Sequence, residues 1–90
     1  MLIVQKAIIK KQNKYLVLLR SLDDEFFPGY WDLPGGLLES KEKPNLSVER
    51  EVKKDTSLIV DAFKVVGAYQ SFIKSILCRF IVCKLLRLNV

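Results

Sequence analysis

Hydrophobic and polar positions along the chain predict strands toward both ends and one helix between them. Residues 2–10 (LIVQKAIIK) and 15–20 (YLVLLR) are rich in aliphatic and β-branched side chains, and the polar stretch Lys11-Gln12-Asn13-Lys14 separates them. Asn13 tolerates a left-handed backbone, so the two runs predict a β-hairpin. Residues 21–30 (SLDDEFFPGY) pass from acidic to aromatic to a Pro28-Gly29 turn and read as a loop. Residues 31–34 (WDLP) predict a brief extended piece that stops at Pro34, with Gly35-Gly36 as a flexible hinge after it. Proline is well placed in a first helical turn, where its missing N–H costs nothing. A helix is therefore expected from near Pro44 through LSVEREVKKD to about Thr56-Ser57. Two further strands are expected, over about 58–68 with a break at Gly67, and over about 74–86, starting at Lys74. The last is apolar on both faces through Ile76, Leu77, Phe80, Ile81 and Val82, which predicts a central strand covered on both sides. The order β-β-loop-β-α-β-β predicts an α+β fold, a mixed β-sheet with one helix packed on it.

The length allows one domain over residues 1–90. A chain this short buries only about 60–65% of the surface its unfolded form exposes. Half of its residues are hydrophobic, enough for a core and against intrinsic disorder. The formal charge of +5 favours anionic ligands in general, but the basic residues are spread out apart from Lys10-Lys11 and Lys53-Lys54. No specific nucleic-acid binding is expected from such a distribution.

Cys78 and Cys83 are five residues apart. Along a strand that spacing puts them on opposite faces and about 16 Å apart, too far for a disulfide. The chain has no histidine and no third cysteine, which excludes a Cys/His zinc site on ligand count. Free thiols suit a reducing compartment. The opening MLIVQKAIIKKQNK has Lys6 inside its apolar run and no small-residue cleavage site, so no secretory signal is read there. Arg79, Lys84 and Arg87 interrupt the apolar tail and exclude a membrane span. A soluble cytoplasmic protein is expected.

On the expected helix, Glu51 and Asp55 lie four residues apart and project from one face on successive turns. Glu42 precedes the helix near the same end. Gly35-Gly36 allows close backbone approach, and a carbonyl there adds an oxygen donor. Oxygen donors without His or Cys suit Mg²⁺ or Mn²⁺, and a hard cation suits phosphate chemistry. Taken alone, an acidic pair beside Lys53 and Lys54 is more often a solvated, salt-bridged helix face.

The wider spacing separates these readings. From Gly36 the chain reads GLLESKEKPNLSVEREVKKDTSL, which resembles the signature of the Nudix (MutT-like) pyrophosphohydrolases over residues 36–58. Gly36, Glu42, Arg50, Glu51, Val52 and Leu58 fall on signature positions. The preceding Trp31-Asp32-Leu33-Pro34-Gly35-Gly36 and the strand end Leu18-Leu19-Arg20 also look like the family. The resemblance implies hydrolysis of a pyrophosphate bond in a nucleoside diphosphate-linked substrate, with Mg²⁺ or Mn²⁺. It implies Glu51 and Asp55 as metal ligands with the Gly35 carbonyl. It implies Arg50 as an orienting residue for carboxylates such as Glu42, and both belong to the expected catalytic set. Arg20 is either a phosphate contact or a solvated strand end. Trp31 either stacks on a base or caps the core, and Phe27, with Phe26 and Tyr30, lies in the loop that could reach a nucleoside.

This sequence departs from the signature at Lys54, where the family has a glutamate, at Asp55 for a second glutamate, and at Ser57 for the helix-closing glycine. Lys41 stands where many members have glycine. Replacing a carboxylate by an ammonium swings the local charge by two units, each worth about 4 kcal/mol at 4 Å and an effective dielectric near 20. The family's domain also runs further, so the resemblance implies a partial domain without the C-terminal part of the usual α/β/α sandwich. An uncovered apolar sheet face would invite homodimer formation. Beside the enzyme stands a second reading: a weakened or inactive Nudix scaffold that binds a nucleotide or associates with a protein. A fragment without independent function is a third.

Overall fold

The computed structural model describes residues 1–71 and 75–90. Among them the chain forms seven strands and one helix: β1 (Leu2–Lys11), β2 (Lys14–Tyr15), β3 (Leu18–Leu19), β4 (Trp31–Asp32), β5 (Gly35–Leu37), α1 (Pro44–Thr56), β6 (Leu58–Ser71) and β7 (Ile76–Leu88). The main sheet runs β2-β1-β7-β6, with β5 pairing on the same side of β1 as β2; β3 and β4 make a separate ribbon. β1 and β7 are parallel and the other pairs antiparallel, so the expected α+β mixed sheet is what forms.

Several expectations are corrected. The hairpin is real but short, because only Lys10 and Lys11 pair with Tyr15 and Lys14 around Gln12 and Asn13, both at positive φ. The second half of the run, Leu18-Leu19, leaves β1 and pairs with Trp31-Asp32. Gly35-Gly36 is no hinge. It is strand, in register with Lys6 and Gln5. A β-carbon on Gly35 (φ +153°) would overlap the Gln5 carbonyl oxygen, so the missing side chain serves close strand pairing. The break expected at Gly67 is a β-bulge, one of three register shifts along an otherwise continuous β6. The expected strand start at Lys74 lies outside the described residues.

The core follows from period 2 on the strands and i, i+4 on the helix. Gln5, Ala7 and Ile9 share one face of β1, Ile81 and Cys83 that of β7, and Val60 and Ala62 that of β6. Val48 and Val52 of α1 close over them. Burying each valine contributes about 1.5–3 kcal/mol. β7 is central, between β1 and β6, but only its helix-side residues Ile81 and Cys83 are buried. Two polar links fix the helix: the buried Gln5 Nε2 donates to the Pro44 carbonyl at 2.9 Å, and Glu49 Oε2 accepts the Ala62 N–H at 2.8 Å. Cys78 and Cys83 are both free, and burial pushes the Cys83 thiol pKa up to about 11. Among the described residues no helix is long and apolar enough to cross a membrane.

The two non-glycine positions flagged by the signature take up the backbone that glycine favours. Lys41 has φ +68° and Ser57, the C-cap of α1, φ +61°. The Ser57 N–H still closes the helix on the Lys53 carbonyl, and its own carbonyl accepts the Asn89 N–H, so the turn is held despite its strain. A left-handed L-residue costs roughly 1–2 kcal/mol, part of which glycine returns as chain entropy. Ser57→Gly and Lys41→Gly should therefore each stabilise the protein by about 0.5–1 kcal/mol in urea unfolding. Unchanged or lowered unfolding midpoints would show that the strain is relieved elsewhere.

Candidate active site

Strand β5 forms the floor of the site because its first two residues, Gly35 and Gly36, have no side chains to hold other groups off. A β-carbon built on Gly36 would lie 2.7 Å from the carboxyl carbon of Glu51, so that carboxylate rests on the Gly36 backbone. One turn on, Asp55 Oδ2 lies 3.4 Å from the Gly35 N–H. The i, i+4 spacing thus delivers two carboxylates onto two consecutive glycines.

Arg50 organises the carboxylates from the other side. Its Nε and Nη2 donate to Glu42 Oε2 and Oε1 at 2.8 and 3.0 Å, a two-pronged bridge. Its Nη1 donates to Glu51 Oε1 at 3.0 Å, and Glu39 approaches Nη2 at 3.9 Å. Arg50 holds the Glu42 carboxyl below the usual carboxylate range, and Glu42 and Glu51 raise Arg50 in return. Glu51 is largely buried, with 13% of its side chain exposed.

Beside Gly35 and Asp55 opens a cleft of about 230 Å³ that also takes in Lys6, Arg20, Asp24 and Asp32. Asp32 Oδ2 accepts from both Lys6 Nζ (2.9 Å) and Arg20 Nη1 (3.0 Å). Burial would raise the Asp32 pKa, but the bond and charge of Lys6, the Leu33 N–H and Arg20 outweigh it and hold it low. Arg20 lines the cleft, yet it is committed inward: Nε donates to the Phe26 carbonyl at 2.8 Å and Nη2 to Asp24 at 2.9 Å. Its N–H donates to the Tyr30 carbonyl, and its carbonyl accepts the Gly29 N–H. Arg20 therefore clasps the 21–30 loop from backbone and side chain together. Trp31 is 68% exposed and Phe27 62%, which removes core capping as the role of Trp31. Phe27 packs on Tyr30 with ring centroids 5.8 Å apart.

The donor set can be tested against a divalent cation. Among the described residues no cluster of three or more His, Cys, Asp or Glu is disposed to hold a metal. Two carboxylates and the carbonyl of Gly35 remain, all oxygen donors. That suits Mg²⁺, which keeps several waters and binds through one or two carboxylates plus substrate phosphates. Lys54, at the position of the family's glutamate, is exposed on α1 and makes no ion pair among the described residues. Glu42, Arg50, Glu51, Asp55 and Gly35 are thus brought together, while Arg20 lines the neighbouring cleft, Phe27 lies in the 21–30 loop and Trp31 lies exposed on β4. Sequence reasoning missed Lys6 and Asp32. The β1–β5 register that brings Lys6 opposite Gly35 could not be read without knowing that Gly35 is strand.

A NUDIX domain family model matches residues 4–83. A MutT-like protein of Streptomyces ambofaciens is 31% identical over 78 residues, 87% of this chain and 48% of that protein. An ADP-ribose pyrophosphatase of Methanocaldococcus jannaschii is 39% identical over 65 residues, 72% of this chain and 37% of that protein. Among solved structures, a NUDIX hydrolase from Nitrosomonas europaea superposes with a TM-score of 0.86 at 24% identity, over 98% of this chain and 49% of that one. An ADP-ribose pyrophosphatase from Streptococcus suis gives 0.81 at 28% identity, over 97% and 62%. The chain spans about half the length, or less, of the curated relatives it matches. With Glu42, Arg50 and Glu51 joined beside Gly36 and a family model matched over residues 4–83, the chain belongs to the NUDIX family.

Proposed function

We propose that this chain carries the catalytic face of a divalent-metal-dependent hydrolase that cleaves the pyrophosphate bond of a nucleoside diphosphate derivative. The observation that carries the reading is the seating of Glu51 and Asp55 on Gly36 and Gly35, with Arg50 fixing Glu51 from behind. Bound there, Mg²⁺ or Mn²⁺ would neutralise charge developing on the phosphoryl oxygens. Glu51, Asp55 and the Gly35 carbonyl would hold the ion. Arg50 would keep Glu51 in place, with Glu42 as its counter-charge. Exposed Trp31 and Phe27 offer flat apolar surface for a nucleobase. The names of the relatives make ADP-ribose the first substrate to try. A small nucleotide in the cytoplasm is the partner this reading requires.

Lys54 supports a second reading, a scaffold that binds a nucleotide or associates with a protein and turns over weakly or not at all. Its charge lies one residue from Asp55, although exposure lets the ammonium turn into solvent and discounts the repulsion.

The chain should release mononucleotide from ADP-ribose only with Mg²⁺ or Mn²⁺, and Glu51→Gln should lower the rate at least about 100-fold, the usual loss for one group that stabilises transition-state charge. Turnover with EDTA, or an unimpaired Glu51→Gln protein, would overturn the hydrolase reading.

Gly36→Ala should separate stability from site geometry. A β-carbon there meets the side-chain carboxylate of Glu51 and no backbone, so thermal stability should change by less than about 1 kcal/mol while the carboxylate is displaced. Mn²⁺ affinity, followed by electron paramagnetic resonance, should fall. Unchanged affinity would mean that Glu51 does not hold the ion.

Lys54→Glu should raise metal-dependent turnover by about tenfold or more, a gain of about 1.4 kcal/mol in the barrier. An equal or lower rate would show that Lys54 is not what limits the site.

A further inference from the structure

We propose that Lys6 is a phosphate-binding residue of the cleft, positioned by Asp32, while Arg20 acts by holding the neighbouring loop. This rests on the reading of the cleft as a diphosphate site and names the cation that would grip the substrate there.

Register places the residue first. Lys6 is the Cα partner of Gly35, whose N–H touches Asp55, so the ammonium-bearing residue lies across the strand pair from the expected metal ligands. Its neighbours on β1, Gln5 and Ala7, are buried beneath α1, which turns Lys6 to the other face of the sheet. The cleft is lined by Lys6 together with Gly35, Asp55, Asp32 and Arg20.

The two cations that line it differ in how they are held, not in how many hydrogens they keep. Each of the three guanidinium nitrogens of Arg20 already serves a protein acceptor: the Phe26 carbonyl, Asp32 and Asp24. Arg20 keeps two of its five N–H hydrogens, but three bonds pin its guanidinium plane to the loop and to Asp32. The Lys6 ammonium carries three hydrogens and gives one to Asp32 at 2.9 Å. Among the described residues its other two have no protein acceptor. Those two are what a phosphate oxygen requires, and a compact ammonium is a common phosphate partner.

Order and charge agree with this. The Lys6 side chain is 18% exposed, so it is already largely desolvated and held before any ligand arrives. That lowers the entropy a ligand must overcome to order it. Asp32 stays ionised because Lys6 and Arg20 both stabilise its carboxylate. It thus tethers the ammonium at one point without filling its remaining donors.

The test uses the whole chain and two readouts. Binding of ADP-ribose and of inorganic pyrophosphate with Mg²⁺ is measured by calorimetry, and KM and kcat for ADP-ribose are measured alongside. Lys6→Met keeps the apolar stem and should weaken binding of both ligands by about 10- to 100-fold, the usual worth of one hydrogen bond to a charged group. KM should rise with it, and kcat should change by less than about threefold, since the contact holds ground and transition states alike. Lys6→Arg should restore most of the affinity. Arg20→Met should show its main effect as a lower melting temperature. Lys6→Met binding within about threefold of the unaltered protein, with an unchanged melting curve, would overturn the proposal. So would a loss that Lys6→Arg does not recover, or an unaltered protein that binds neither ligand. An unaltered protein that binds both but hydrolyses neither would overturn the hydrolase reading alone, and the Lys6 variants would still decide the phosphate site.

Discussion

The absence of two β-carbons is the constraint on which the rest depends. β5 is three residues long, pairs with β1 and packs against α1, and at its two glycines neither neighbour leaves room for a β-carbon. A methyl on Gly35 would meet the Gln5 carbonyl, and a methyl on Gly36 would meet the Glu51 carboxylate. Close approach on one side keeps the strand paired to β1; close approach on the other lets helix carboxylates rest on backbone. The same pair of glycines therefore fixes the sheet edge and the level of the acidic groups.

On this floor the charges are organised by pairing. Arg50 spans Glu42 and Glu51 from one side, and Asp32 joins Lys6 to Arg20 at the other. The two arrangements differ in kind. A guanidinium between carboxylates orients acids for a cation, whereas a carboxylate between two cations leaves basic hydrogens facing the cleft. In half-buried pairs of this sort the lost hydration offsets much of the Coulombic gain, so they contribute little to stability on their own. Their physical value lies in order: each fixes the direction of a group that would otherwise sample many rotamers in water.

Much of the architecture was legible from local signals. Pro44 marked the helix start, and the apolar run through Ile81 marked β7 as central. Ser57 and Lys41 were legible as glycine-like positions, and both have positive φ. Other features depend on pairings that period and propensity do not encode. Leu18-Leu19 looked like a continuation of the hairpin because nothing local shows that it leaves β1 for Trp31-Asp32. Gly35-Gly36 looked like a hinge because glycine signals freedom in sequence and close contact only in three dimensions. Lys6 looked like an interruption of an apolar run until its register with Gly35 was known. The helix-borne carboxylates were readable because i, i+4 spacing is a local rule; the cations of the cleft were not, because they arrive from strands distant in sequence.

The altered acidic position on α1 bears on which chemistry two carboxylates can support. A site with many protein carboxylates holds its cation without help. A site with Glu51 and Asp55 alone must draw the remaining oxygens from water and from the substrate's own phosphates. Binding of metal and of phosphate would then be thermodynamically linked, each raising the affinity of the other. In such a site a nearby ammonium has a mixed effect. It repels the cation, but it adds to the field that attracts a diphosphate. Lys54 is exposed and free to turn outward, whereas Lys6 is tethered by Asp32 at the cleft. Screening in solvent weakens the first, while partial burial preserves the second. The balance of these two lysines, more than the count of acidic residues, would set how tightly the cleft holds metal and diphosphate together.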